Sequence, residues 1–172
     1  MKLAILGFSG SGKSTLAKQL GSFYQIPVLH LDTIQFQPNW VIREKEEGQQ
    51  LVKEFMTIYD SWVIDGNYTG FYQQERLDMA DEIIYLNFSR LRCLMRVLNR
   101  YRQNKGKTRS DMADGCIEKI DWPFIWWVLA KGRSRSRRKH YKLVGRDYSD
   151  KFIELKNPRQ VSLWLTSRGI DV

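Results

Sequence analysis

Residues Gly7-Phe8-Ser9-Gly10-Ser11-Gly12-Lys13-Ser14 fit the spacing G-x-x-x-x-G-K-[ST]. They follow an apolar run, Lys2-Leu3-Ala4-Ile5-Leu6, that reads as a buried strand, and they lead into a helical stretch from about Lys13 to Gly21. Strand, glycine turn and helix N-terminus together define a phosphate-binding loop. Glycines at these positions let successive backbone N–H groups converge on a phosphate without a side chain in the way. The first turn of the helix adds its partial positive charge. In this arrangement Lys13 would bridge the β- and γ-phosphates and the Ser14 hydroxyl would ligate Mg²⁺. Gly7, Ser9, Gly10, Ser11, Gly12 and Thr15 would complete the cradle. The pattern implies a nucleoside triphosphate held at the start of an α/β unit.

The 172 residues are enough for one α/β domain with a sizeable core and too few for two. The apolar start is short, runs straight into the glycine loop and has no small-residue cleavage site, so it does not read as a signal peptide. Elsewhere the longest apolar run, Pro123 to Ala130, is far short of the roughly 20 residues of a membrane span. Cys93 and Cys116 form no C-x-x-C pair, which points away from a zinc site or a disulfide framework and toward a reducing, cytoplasmic setting. The net charge of +9 is uneven. Arg90 to Arg146 holds 17 Lys/Arg against 4 Asp/Glu, whereas the rest holds 11 against 15. A basic surface can mean nucleic acid, but one strongly basic segment beside a mildly acidic remainder fits a lid over several phosphates better than a uniformly basic DNA-coating surface would.

Strand-like and helix-like segments alternate, as in a parallel sheet covered by helices. Pro27 to Asp32 predicts a second strand, Ile42 to Tyr59 a helix with apolar positions Leu51, Phe55 and Ile58, Trp62 to Gly66 a third strand, and Glu82 to Leu86 a fourth. A basic helix is expected from about Ser89 to Gln103, then a glycine-containing connection over Lys105 to Ser110. Asp111 to about Lys142 reads as mainly helical and aromatic. Phe152 to Leu155 predicts the last strand, and Pro158 opens a terminal helix. The expectation is a single domain with a basic helical lid over about 104–142, inserted before the last strand.

Two carboxylates fall at predicted strand ends, where ligands bind in open parallel sheets. Asp65 is placed to hold Mg²⁺ with Ser14, although Asp65-Gly66 also suits a plain turn. Asp32 could orient or deprotonate an acceptor hydroxyl opposite the γ-phosphate, and equally could cap a turn before Thr33. Arg96 and Arg100, four apart, share a helical face with Arg92, and their forked guanidiniums match the charge spread of a transferring phosphoryl group. In the dense run Gly132 to Lys142, Arg133 and Arg137 would face one way and Arg135, Arg138 and Lys142 another. Trp122, Phe124, Trp126 and Trp127 could pack this region onto the core or stack on bases. His30, in a predicted buried strand, reads as structural.

The loop, Asp32, Asp65-Gly66 and the Arg96/Arg100 pair resemble the adenylate-kinase and shikimate-kinase branch of P-loop kinases. Within it, His30-Leu31-Asp32, Trp62 to Tyr68, Arg76 to Asp81 and Thr108-Arg109-Ser110-Asp111-Met112 resemble bacterial proteins labelled DNA topology modulation proteins. The resemblance runs over nearly the whole chain. It implies a three-layer P-loop NTPase fold with a five-stranded parallel sheet in order 2-3-1-4-5, an acceptor region between strands two and three, and a mobile lid. It would put Arg96 near the adenine, Arg100 near the transferred phosphate, and Arg133 or Arg137 in the closing clamp. Adenylate kinases carry a proline and an acceptor-gripping arginine after the Asp-Gly pair. Here Asn67-Tyr68 stand there instead, leaving Arg43 or Arg76 as substitutes. Two functions follow as expectations. One is an ATP- and Mg²⁺-dependent phosphotransferase with its acceptor near Asp32, Arg43, Tyr68 and Arg76; ATP is preferred because no N-K-x-D guanine pattern occurs. The other is an ATP-binding, nucleic-acid-associated protein.

Overall fold

The computed structural model describes residues 1–106, 108 and 111–171. Lys107 in the basic connection, and Arg109 and Ser110 in the stretch before Asp111, lie outside the described residues. The first strand, β1 (Lys2–Gly7), sits in the middle of the sheet because nothing in it needs water: Leu3, Ala4, Ile5 and Leu6 are all at most 1% exposed. Buried on both faces, such a run belongs at the centre of a parallel sheet. It pairs in parallel with β5 (Trp62–Asp65) on one side and β6 (Glu82–Leu86) on the other. Beyond these lie β2 (Val28–His30) and β7 (Phe152–Leu155), also parallel. The sheet runs β2-β5-β1-β6-β7. Counted among themselves, its five strands stand in the expected order 2-3-1-4-5.

Differences from the sequence reading cluster on the side of the sheet between β2 and β5. The second strand ends at His30, and the chain turns at once into a short helix, α2 (Leu31–Gln35), that buries Leu31 and Ile34. Asp32 is therefore not a strand-end residue but lies in the first turn of α2. Next comes a two-stranded antiparallel ribbon, β3 (Phe36–Gln37) and β4 (Val41–Ile42), that was not expected. Pro38–Trp40 makes its turn, with Asn39 and Trp40 both at positive φ, and this keeps Ile42 out of any helix. The helix α3 begins at Lys45 and ends at Ile58; it buries Gly48 and Val52 and leaves Ile58 69% exposed. α1 (Lys13–Tyr24) and α4 (Gln73–Met79) complete this half.

After β6 comes the basic helix α5 (Arg90–Asn104), capped by the Ser89 hydroxyl. Asp111 to Asp121 is not helical. Gly115 takes φ +72 there, and the stretch docks on the ribbon turn, with Trp40 Nε1 donating to Ile117 O at 3.1 Å and Asn39 N to Asp114 O at 3.3 Å. Helix resumes only where caps permit it. α6 (Trp122–Leu129) starts at Asp121 with Pro123 in its first turn, and α7 (Arg135–Asp147) starts at Ser134. The terminal helix α8 (Pro158–Thr166) begins at Pro158 after the Asn157 cap. Among the described residues no helix is long and apolar enough to cross a membrane.

Candidate functional site

The loop from Gly7 to Ser14 emerges from the carboxyl end of β1 and opens into a cleft of about 1980 Å³. Two glycines in it are required by their surroundings. Gly10, at φ +78, lies so close to α5 that a Cβ would stand 2.6 Å from Cys93 O; Gly12, at φ +97, would bring a Cβ 2.6 Å from Arg96 Nη2. The loop is pinned from the next strand by Asn67, which accepts from Gly7 N at 3.1 Å and donates to Gly7 O at 2.5 Å. Beyond Gly12 the opening N–H groups of α1 have no acceptor within their own helix. Lys13 and Ser14 line the cleft, as do Ser9 and Thr15. Gly7 and Ser11 are buried behind them. Lys13 Nζ makes one long contact, 3.5 Å to Phe8 O.

Ser14 Oγ donates to Asp65 Oδ2 at 3.0 Å, so the end of β5 brings a carboxylate to the start of α1. Asp65 is 4% exposed, and its other oxygen is held by His30 Nδ1. His30, read as structural from sequence, fixes the rotamer of this carboxylate. A hydroxyl and a carboxylate oxygen at one point beside a phosphate loop are a hard-oxygen donor pair that fits Mg²⁺, which takes few protein ligands and keeps water and phosphate oxygens for the rest. Among the described residues there is no group of three or more His, Cys, Asp or Glu that would form an all-protein metal cage.

Asp32 lines the same cleft, and there Tyr68 donates its phenol to Asp32 Oδ1 at 2.7 Å. Burial raises the Tyr68 pKa, and the Asp32 charge and its hydrogen bond raise it further. Arg43 also lines the cleft, donating Nε to Ile34 O at 2.8 Å and Nη1 to Glu47. Arg76 does not reach the cleft. It is fully buried, giving Nε to Phe71 O and Nη2 to Tyr68 O, both at 2.8 Å. Its part is to hold the 66–72 loop from behind, which corrects the expectation that it touches an acceptor. Burial lowers its pKa to about 10.

The remaining arginines divide. Arg96, Asn99, Arg100 and Gln103 line the cleft along α5, whereas Arg92 does not. Arg100 donates Nε at 2.8 Å and Nη2 at 2.7 Å to Glu118, a buried carboxylate that sequence reasoning passed over. Arg133 is buried, its guanidinium 3.9 Å from the Phe8 ring centroid and donating to Cys93 Sγ at 2.9 Å and Val128 O at 3.2 Å. It ties α5, α6 and the phosphate loop together in the wall of the cleft, which it lines together with Arg137. Arg137 stacks over Trp127, whose Nε1 donates to Ser9 Oγ at 3.2 Å. Of the four aromatics of this region, Trp127 and Phe124 pack inward, while Trp122 and Trp126 are 80% and 63% exposed.

Under the loop, Tyr85 and Tyr141 stack at 4.6 Å beside Phe8. Burial pushes Tyr141 up to about 12, and burial followed by Tyr141 raises Tyr85. A folded-state pKa above the unfolded value near 10 favours the neutral phenol. The stability these groups contribute is therefore intact below pH 10 and is lost as pH rises through 12. Urea denaturation at stepped pH should show stability falling above pH 10, and phenolate absorbance should show Tyr68, Tyr85 and Tyr141 ionising only well above the usual tyrosine range. Stability that is flat to pH 12 would contradict the buried stack.

No protein-family model matches the chain, and no curated protein matches it. The fold is similar to that of an uncharacterized protein from Eubacterium ventriosum ATCC 27560, with a TM-score of 0.53 at 17% identity over 98% of this chain and 97% of that one. A deoxyadenosine kinase from M. mycoides with bound dCTP superposes with a TM-score of 0.49 at 17% identity, over 98% of this chain and 99% of that one. The first likeness bears on fold alone, and the second is too distant to carry weight. Neither supports the resemblance to DNA topology modulation proteins. The sheet order and the glycine loop at the end of β1 make this a three-layer P-loop fold.

Proposed function

We propose that the chain is an ATP-dependent phosphotransferase that moves the γ-phosphoryl group to an acceptor held beside Asp32. The observation that carries this reading is one cleft lined both by a phosphate loop with Lys13 and by the Asp32–Tyr68 pair. A pure hydrolase needs no second half to its site. In this reading the loop backbone and Lys13 grip the triphosphate, and Arg96, against Gly12, borders it. Ser14 and Asp65 hold Mg²⁺, which supplies charge neutralisation at the phosphates. Arg100 supplies charge toward the transferring group once it turns from Glu118, and Arg137 closes over the cleft from α7, with Arg133 bracing the loop beneath. The α6–α7 region acts as a lid that keeps water from the phosphoryl group.

Calorimetric titration tests the nucleotide half. One ATP per chain should bind, more tightly with Mg²⁺ than with EDTA. Asp65→Asn should weaken the Mg²⁺-dependent binding about tenfold and leave the EDTA value nearly unchanged. Equal loss under both conditions would remove Asp65 from the metal role. A second reading rests on the exposed Trp122 and Trp126 near a basic helix whose Arg135, Arg138 and Lys139 face solvent: this face could contact nucleic-acid backbone and bases. It does not use the cleft.

A further inference from the structure

We infer that the acceptor is a neutral alcohol with an apolar or flat body, and that a phosphorylated acceptor is a poor substrate. The inference rests on the phosphotransferase reading and deepens it. It comes from how the cations around Asp32 are already engaged.

A phosphate monoester is a dianion near neutral pH and is normally met by forked, two-point arginine donors. Among the described residues, the acceptor half of this cleft offers little of that kind. Arg76 faces away, fully buried, with two of its three guanidinium nitrogens donating to Phe71 O and Tyr68 O. Arg43 does line the cleft, but two of its three nitrogens are also donating, Nε to Ile34 O and Nη1 to Glu47 on the next turn of chain. The exposed Arg43–Glu47 pair is weak by itself; the Ile34 carbonyl is what fixes the direction of the guanidinium. Lys45, at the exposed start of α3, is a single ammonium with no fork. Against these stands the Asp32 carboxylate, which a dianion would have to approach.

The same half suits an uncharged molecule. Phe36 and Trp40 meet edge to face at 5.3 Å and Tyr68 and Phe71 lie 5.5 Å apart, giving aromatic walls, while Gln35 adds an amide. Among the described residues Tyr68 holds one oxygen of Asp32, so the other can accept from an incoming hydroxyl. The step then balances. The acceptor oxygen forms a bond to the γ-phosphorus, and the bond from that phosphorus to the β–γ bridging oxygen breaks with its electron pair leaving on ADP. The hydroxyl proton passes to Asp32 and then to water. Tyr68 is a positioning residue that keeps Asp32 turned to the acceptor.

The test uses the full chain, Mg-ATP and matched acceptor pairs: adenosine and AMP, deoxyadenosine and dAMP, thymidine and dTMP, glucose and glucose 6-phosphate. Labelled product should form on neutral members at least tenfold faster than on their phosphorylated mates. Glu47→Gln, which leaves Arg43 one donor freer, should narrow that ratio several-fold while ATP affinity holds. Tyr68→Phe should lower kcat more than it raises KM and should change the pH profile of kcat. Preference for phosphorylated members, or none between the two, would overturn the inference and leave the phosphotransferase reading standing. Transfer to no member, with ATP bound, would overturn both.

Discussion

Arg76→Ala should destabilise the fold by about 3–5 kcal/mol, because it orphans two buried carbonyls and leaves a cavity. Phe71 O and Tyr68 O each lose a charge-assisted donor at 2.8 Å, in a place where water does not readily replace it. Part of this is offset, since a fully buried guanidinium is itself costly, as its pKa of about 10 records. Arg76→Met separates the contributions: it fills much of the volume, removes the buried charge and still orphans the carbonyls, so it should cost less, about 1–3 kcal/mol. Urea melts of the three proteins measure this. Because the 66–72 loop also carries Tyr68, both variants should lose activity even at temperatures where they stay folded. An alanine variant within about 0.5 kcal/mol of the parent would show that the loop does not depend on Arg76.

Lys13→Met is the second large effect, and it has the opposite character. Phosphoryl transfer should fall about a thousandfold, because a charge aimed at the transferring group is lost from a site that water leaves on closure. The fold should be nearly unaffected, within about 1 kcal/mol, since among the described residues the ammonium makes one long contact, 3.5 Å to Phe8 O. Where Arg76 trades stability, Lys13 trades rate.

The central half of the molecule was legible in the sequence because each residue there answers to a local rule. An apolar run, a glycine loop and a lysine-serine pair mark a strand–loop–helix unit by themselves, whereas the five-strand order came only with the resemblance to P-loop kinases. Gly10 and Gly12 were readable as turn residues, but their tight approaches to Cys93 and Arg96 come from α5, 80 residues along the chain, and no local pattern records them. Asp32 sits one element further on than its sequence suggests, because the three-residue edge strand β2 ends too early to announce itself. The ribbon after it depends on positive φ at Asn39 and Trp40, residues that carry no such requirement on their face. Arginines were the least readable. Arg76, Arg100, Arg133 and Arg137 look alike in sequence, yet one braces a loop, one pairs with Glu118, one is buried on Phe8 and one stacks on Trp127. Each of these fates is set by a partner distant in sequence or by burial. Glu118 and His30 gave no signal of their own beyond residue type. Each matters through a side chain already singled out, Arg100 and Asp65.

The fate of label from γ-labelled Mg-ATP, followed in the parent chain and in Lys13→Met side by side with the neutral acceptors present, tests the central claim most directly. The account predicts that the parent places most label on an acceptor and little in inorganic phosphate, and that Lys13→Met does neither while remaining folded. Label that appears only as inorganic phosphate, or transfer that persists in Lys13→Met, would contradict it.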